Sequence, residues 1–112
     1  AEARDIGREA VGRLQELLAA SLEQTPSLEQ MAAAVDLSKF HLLRAFKRRT
    51  GLSPRQWAMQ LRTRRAQGLL RLGLPAGEVA HRLGFADQSH LNRHFRAAYG
   101  ISPGRYQACV RA

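Results

Sequence analysis

The chain has one cysteine, Cys109, so no internal disulfide can staple it, and a reducing compartment suits it. Cys109 sits near the chain end with no second thiol to resolve an oxidised form, and it reads as half-buried packing rather than a redox switch. No apolar run approaches membrane-spanning length, and no signal-peptide pattern is present. Catalytic constellations are also lacking. Asp87, Ser89 and His90 are neighbours on one helix and cannot form the line of hydrogen bonds that a triad needs. His90 and His94 have the spacing of a metal pair, but only His81 or Cys109 could add a third ligand. The expectation is therefore a non-enzyme without metal or cofactor.

Acid is missing over a long interior stretch. Between Leu37 and Leu72 there is no Asp or Glu, while Lys39, Arg44, Lys47, Arg48, Arg49, Arg55, Arg62, Arg64, Arg65 and Arg71 all fall there. The formal net charge of +9 and the pI of about 11.4 point to a polyanionic partner, nucleic acid ahead of an anionic membrane surface. Acidic residues gather early, at Glu2, Asp5, Glu9, Glu16, Glu23 and Glu29, so that end is expected to face away from the polyanion. A chain of 112 residues can build one small core, or two very small ones sharing a helix, with no room for a separate sensing domain. It opens on Ala1 without an initiator Met, and an excised domain of a longer protein is the expectation.

Apolar periodicity and capping residues divide the chain into helices. Ile6, Ala10, Leu14, Leu17 and Leu18 predict an amphipathic first helix from Ile6 to Leu22 that braces the core. Ser27 and Gln30 have capping-box spacing ahead of Leu28, Met31, Ala32 and Val35, and Asp36 and Leu37 then turn the chain. Ser38 caps a third helix, Lys39 to Thr50, which Gly51 closes. Ser53, Pro54 and Gln56 supply an N-cap, a first-turn proline and a reciprocal cap for a fourth helix to about Leu72, with a bend expected at Gly68. Val79, Ala80 and Leu83 make a short helix ending at Gly84, and Phe85 plugs the corner. Asp87 caps Gln88 to Tyr99, with Leu91, Phe95 and Ala98 facing inward, before Gly100 stops it. Ser102 and Pro103 begin a short closing helix.

The second half repeats the first. Met31, Ala32, Val35, Asp36 and Leu37 pair with Val79, Ala80, Leu83, Gly84 and Phe85. Leu42, Arg44, Phe46, Lys47, Gly51, Ser53, Pro54 and Trp57 pair with Leu91, Arg93, Phe95, Arg96, Gly100, Ser102, Pro103 and Tyr106, the offset growing by one residue across the turn. The consequence is an all-α chain of two helix-turn-helix subdomains, residues 1–53 and 74–112, joined by a linker helix, residues 54–73. That helix would span roughly 28 Å at about 1.5 Å per residue. This is close to the roughly 34 Å of one DNA turn, which would let a monomer set two reading helices into successive major-groove segments.

The outer face of the first reading helix would be Phe40, Leu43, Arg44 and Lys47, and of the second Ser89, Asn92, Arg93 and Arg96. Arg44 and Arg93 suit guanine, Gln88 and Asn92 suit adenine, and Phe40 and Leu43 suit a thymine methyl. Ser38, Lys39, Lys47, Arg48, Arg62, His90 and Arg96 are the expected phosphate contacts.

Three stretches, SLEQMAAAVDLSKFHLLRAFKRRTGLSP, LRTRRAQGLL and VAHRLGFADQSHLNRHFRAAYGISPGRY, closely resemble the AraC/XylS family of bacterial transcriptional regulators, over nearly the whole of Leu14 to Tyr106. The resemblance implies a seven-helix, two-subdomain module in a cytoplasmic, nucleoid-associated bacterial protein. It also implies promoter binding, usually activation through contact with RNA polymerase, and an effector or dimerisation domain elsewhere. The family's base-contacting positions carry over to Phe40, Leu43 and Arg44, and to Gln88, Ser89, Asn92 and Arg93. Leu43 stands where the family often has a polar residue, and Thr63 where an apolar one is usual. Two other readings remain open: a helical protein-interaction module docking a partner on Phe40 and Leu43, and a general nucleic-acid binder without base readout.

Overall fold

The computed structural model describes residues 2–111, with side chains for residues 6–111. Its described residues form seven helices and no strand: α1 (Glu2–Ala20), α2 (Leu28–Ala34), α3 (Lys39–Thr50), α4 (Pro54–Arg71), α5 (Ala76–Leu83), α6 (Gln88–Tyr99) and α7 (Pro103–Arg111). The chain divides into two compact units, Ala1–Met59 and Gln60–Ala112, and α4 contributes to both. No helix among the described residues is long and apolar enough to cross a membrane.

In the first unit, local chemistry sets each helix end. The Ser27 hydroxyl accepts from the Gln30 N–H at 3.1 Å, and the Gln30 side chain accepts from the Ser27 N–H at 2.9 Å. These two bonds satisfy donors that the first turn of α2 would leave unpaired. Ser53 and Gln56 make the same reciprocal pair at the start of α4, at 3.2 and 2.9 Å. Asp36 turns the chain between α2 and α3 with φ at 57°, the left-handed conformation that Gly84 adopts at 82° in the repeat-related turn. Aspartate tolerates this region better than most residues with a side chain.

The core of this unit is built from Ala10, Val11, Leu14 and Leu18 of α1, Met31, Ala32 and Val35, Leu42 and Phe46 of α3, and Ala58 of α4. The expected stripe on α1 is corrected here. Ile6 and Leu17 are 52% and 48% exposed, and the buried line is Gly7, Ala10, Val11, Leu14 and Leu18. Gly7 lies on this buried line facing α3, and a Cβ added to it would stand 3.6 Å from Ala45 Cβ, in ordinary contact. Of the early acids, Glu2 and Asp5 lie outside the residues whose side chains are described.

The second unit buries Ala66 and Leu70 of α4 with Val79, Ala80, Leu83, Phe85, Leu91, Phe95 and Tyr106. Gln107 holds α7 to the end of α4 by donating to the carbonyls of Leu70, in the last turn of α4, and Leu74, just beyond it, at 2.9 and 2.7 Å. Arg71 adds a bond to the Tyr106 hydroxyl at 3.1 Å. Ala98, expected to face inward, is exposed, and the neighbouring Tyr99 lays its ring on Phe95 at 4.7 Å. Cys109 is exposed rather than half-buried.

Helix α4 runs unbroken through Gly68, which is exposed and has no neighbour within 4 Å of where a Cβ would stand. Gly68→Ala should therefore stabilise the chain by about 0.5–1 kcal/mol, through the lower backbone entropy cost of helix formation. A urea midpoint that does not rise at constant m-value would contradict this.

Candidate nucleic-acid interface

Each unit presents one helix whose inner face is pinned. In α3, Leu42 and Phe46 are fully buried, and Trp57 meets the Phe46 ring edge-on at 6.2 Å. In α6, Leu91 and Phe95 are fully buried, with Tyr106 against Phe95 at 5.5 Å. With one side committed, the other must face water. Phe40 is 75% exposed, Arg44 and Lys47 are exposed, and Leu43 is half-buried. On α6, Gln88, Ser89, Arg93 and Arg96 are exposed and Asn92 is half-buried.

The N-termini of both helices are capped from the preceding turn. The Ser38 hydroxyl accepts from the His41 N–H at 3.1 Å, and Asp87 Oδ1 accepts from the His90 N–H at 2.8 Å. Asp87 is thus committed to the backbone. His90 is also partly committed, because its Nδ1 accepts from the Ala86 N–H at 3.1 Å and its ring stacks edge-on against Phe85 and His94 at 5.5 and 4.8 Å. Only its Nε2 side remains to meet a phosphate. Phe85 is buried at this corner, as expected.

Two of the expected phosphate contacts are placed differently. Lys39 Nζ lies 3.2 Å from Glu29 Oε1 in an exposed ion pair. The Glu29 carboxyl titrates below its ordinary range, first through a backbone hydrogen bond and then through Lys39. Arg62 is corrected outright. It is 7% exposed, on a line with buried Ala58, Ala66 and Leu70 at four-residue spacing, and its burial withdraws it from a duplex surface. Lys47, Arg48 and Arg96 are exposed, as phosphate contacts must be. Arg8, His41 and Arg49, which sequence reasoning did not assign, join the basic side of α3. The early acids around Arg8 drew attention away from it, and only the packing of α1 on α3 brings it there.

Two helix-turn-helix units, each with basic side chains on an outward helix face, define a protein of the helix-turn-helix class. Residues 31–108 match a family model described as a helix-turn-helix domain. Regulatory protein Ada of Salmonella typhimurium is 36% identical over 86 residues, which cover 76% of this chain and 24% of that protein. The uncharacterised transcriptional regulator YidL of Escherichia coli is 36% identical over 101 residues, covering 89% of this chain and 34% of that protein. Among solved structures, the DNA-binding domain of the global transcriptional factor AdpA, in complex with a target DNA, is 32% identical with a TM-score of 0.83, over 90% of this chain and 92% of that one. An AraC-type regulator from Chromobacterium violaceum is 25% identical with a TM-score of 0.85, over 92% and 93% of the two chains. The chain belongs to the AraC/XylS family of transcriptional regulators, as its DNA-binding helix-turn-helix domain. It spans about a quarter to a third of the length of the curated relatives named here.

His94, half-buried on α6, titrates below the ordinary histidine value, first because burial disfavours the imidazolium and then because of charge on His90 and Arg93. The unfolded chain therefore takes up this proton more readily than the folded one. Stability is full above the unfolded pKa of about 6.5 and falls as pH drops from there through the lowered folded value. His94→Gln should flatten the loss of stability between about pH 7 and pH 5. Equal pH slopes for variant and wild type in urea titrations would contradict it.

Proposed function

We propose that the chain binds promoter DNA sequence-specifically and regulates transcription, with α3 and α6 as the reading helices. The observation that carries this is the repeated arrangement of a buried Leu and Phe pair behind an exposed, donor-rich helix face. In this reading Arg44 and Arg93 grip guanine, Gln88 and Asn92 read adenine, Ser89 takes either base type, and Phe40 and Leu43 meet thymine methyls. Ser38, Lys39, Lys47, Arg48, His90 and Arg96 hold phosphates, Lys39 exchanging Glu29 for one. The subdomain reading treats residues 54–73 as the linker between residues 1–53 and residues 74–112.

Beyond the domain, we infer a cytoplasmic bacterial protein that activates rather than represses, through contact with RNA polymerase, and that carries an effector or dimerisation domain. Family resemblance supports each of these, as it supports a non-enzymatic role for this region. Exposed Phe40 is the feature that favours the rival reading, a docking face for a partner protein.

Arg93→Ala should lose about 1–3 kcal/mol on a cognate duplex and relax one base position. Equal loss on scrambled duplex would count against base readout. Arg48→Ala should weaken cognate and scrambled duplexes alike and lower the salt slope of log K by about 1. A slope unchanged from wild type would remove Arg48 from the phosphate contacts.

A further inference from the structure

Between α1 and α3 lies a cleft of about 910 Å³ whose charged lining is Arg8 from α1 and His41, Arg44, Arg48 and Arg49 from α3. Among the described residues, no acidic side chain lines it. The contact of Gly7 with Ala45 carries Arg8 of α1 up to α3. None of the four guanidiniums makes an ion pair or hydrogen bond with the described residues. Arg48 and Arg49 stand in the last turn of α3, where the helix dipole favours cations. That accounts for neither Arg44 in mid-helix nor Arg8 on the other helix. Four positive side chains gathered on one cleft make a favourable place for an anion. Guanidiniums match phosphate oxygens in forked pairs.

Arg44 belongs both to this cleft and to the reading face of α3, so whatever fills the cleft continues the surface that meets the duplex. We propose that α1 is part of the DNA interface, and that Arg8, with Arg48 and Arg49, seats a phosphodiester segment of the DNA backbone beside the bases read by α3. This rests on the DNA-reading role of α3 proposed above, and it gives the first unit a backbone clamp from outside its helix-turn-helix.

The test is a salt titration on a selected duplex and on duplexes with single methylphosphonate linkages, comparing wild type, Arg8→Gln and Arg8→Lys. Melting curves establish that the variants fold alike. Arg8→Gln should lower the salt slope by about 0.9, and Arg8→Lys should restore most of it. One neutral linkage should weaken wild type and leave Arg8→Gln unaffected. Glu9→Gln, a change in net charge of equal size and opposite sign on the neighbouring residue, should leave the slope at its wild-type value. A wild type that binds the duplex while Arg8→Gln keeps both its slope and its linkage profile overturns the proposal alone. A shift in slope for Glu9→Gln as large as that for Arg8→Gln and opposite in direction also overturns it, because net charge would then be the cause. A wild type that binds no duplex overturns the DNA-reading role and the proposal together.

Discussion

The burial of Leu42 with Phe46, and of Leu91 with Phe95, is the constraint on which the rest of the structure depends. Both pairs sit four residues apart on their helices and have no solvent exposure. Burying such side chains contributes about 1.5–3 kcal/mol each, and a rotation of the helix by one residue would forfeit both members at once. Rotation about the axis is therefore fixed, and with it the set of side chains that face water. The same apolar contacts that hold each unit together choose Arg44 and Arg93 as outward residues.

Around that constraint the two units solve the same problem with different parts. The first turns at Asp36 and the second at Gly84, both left-handed, so a carboxylate side chain stands where the repeat has none. The first closes its core with α1, whose Gly7 faces Ala45 of α3. In the second, Gln107 and Tyr106 tie α7 to the end of α4 with hydrogen bonds. Divergence on the outer faces is larger: Phe40 and Leu43 are apolar where Ser89 and Asn92 are polar. Two units with one architecture thus offer two different chemistries to a duplex.

Helix ends and corners were legible in the sequence because their signals are local. Ser27 with Gln30, Ser53 with Gln56, Asp87, Gly51, Gly84 and Gly100 each act on backbone groups within a few positions. Rotation and burial were less so. Reading α1 by its large apolar residues put Ile6 and Leu17 inside, whereas the buried line runs through Gly7, Ala10, Val11, Leu14 and Leu18. Arg62 looked like its basic neighbours, and the burial of Ala58, Ala66 and Leu70 on the same face is what sets it apart. Arg8 was hidden for the converse reason, as a cation interspersed with early acids that tertiary packing alone brings to α3.

The most direct measurement is selection of bound duplexes from a random pool by the wild-type chain and by Arg44→Ala and Arg93→Ala. Two helices with independently fixed outer faces should return two separate blocks of base preference, each variant losing one block and keeping the other. A pool without base preference, or one in which both variants erase the same block, would contradict the account.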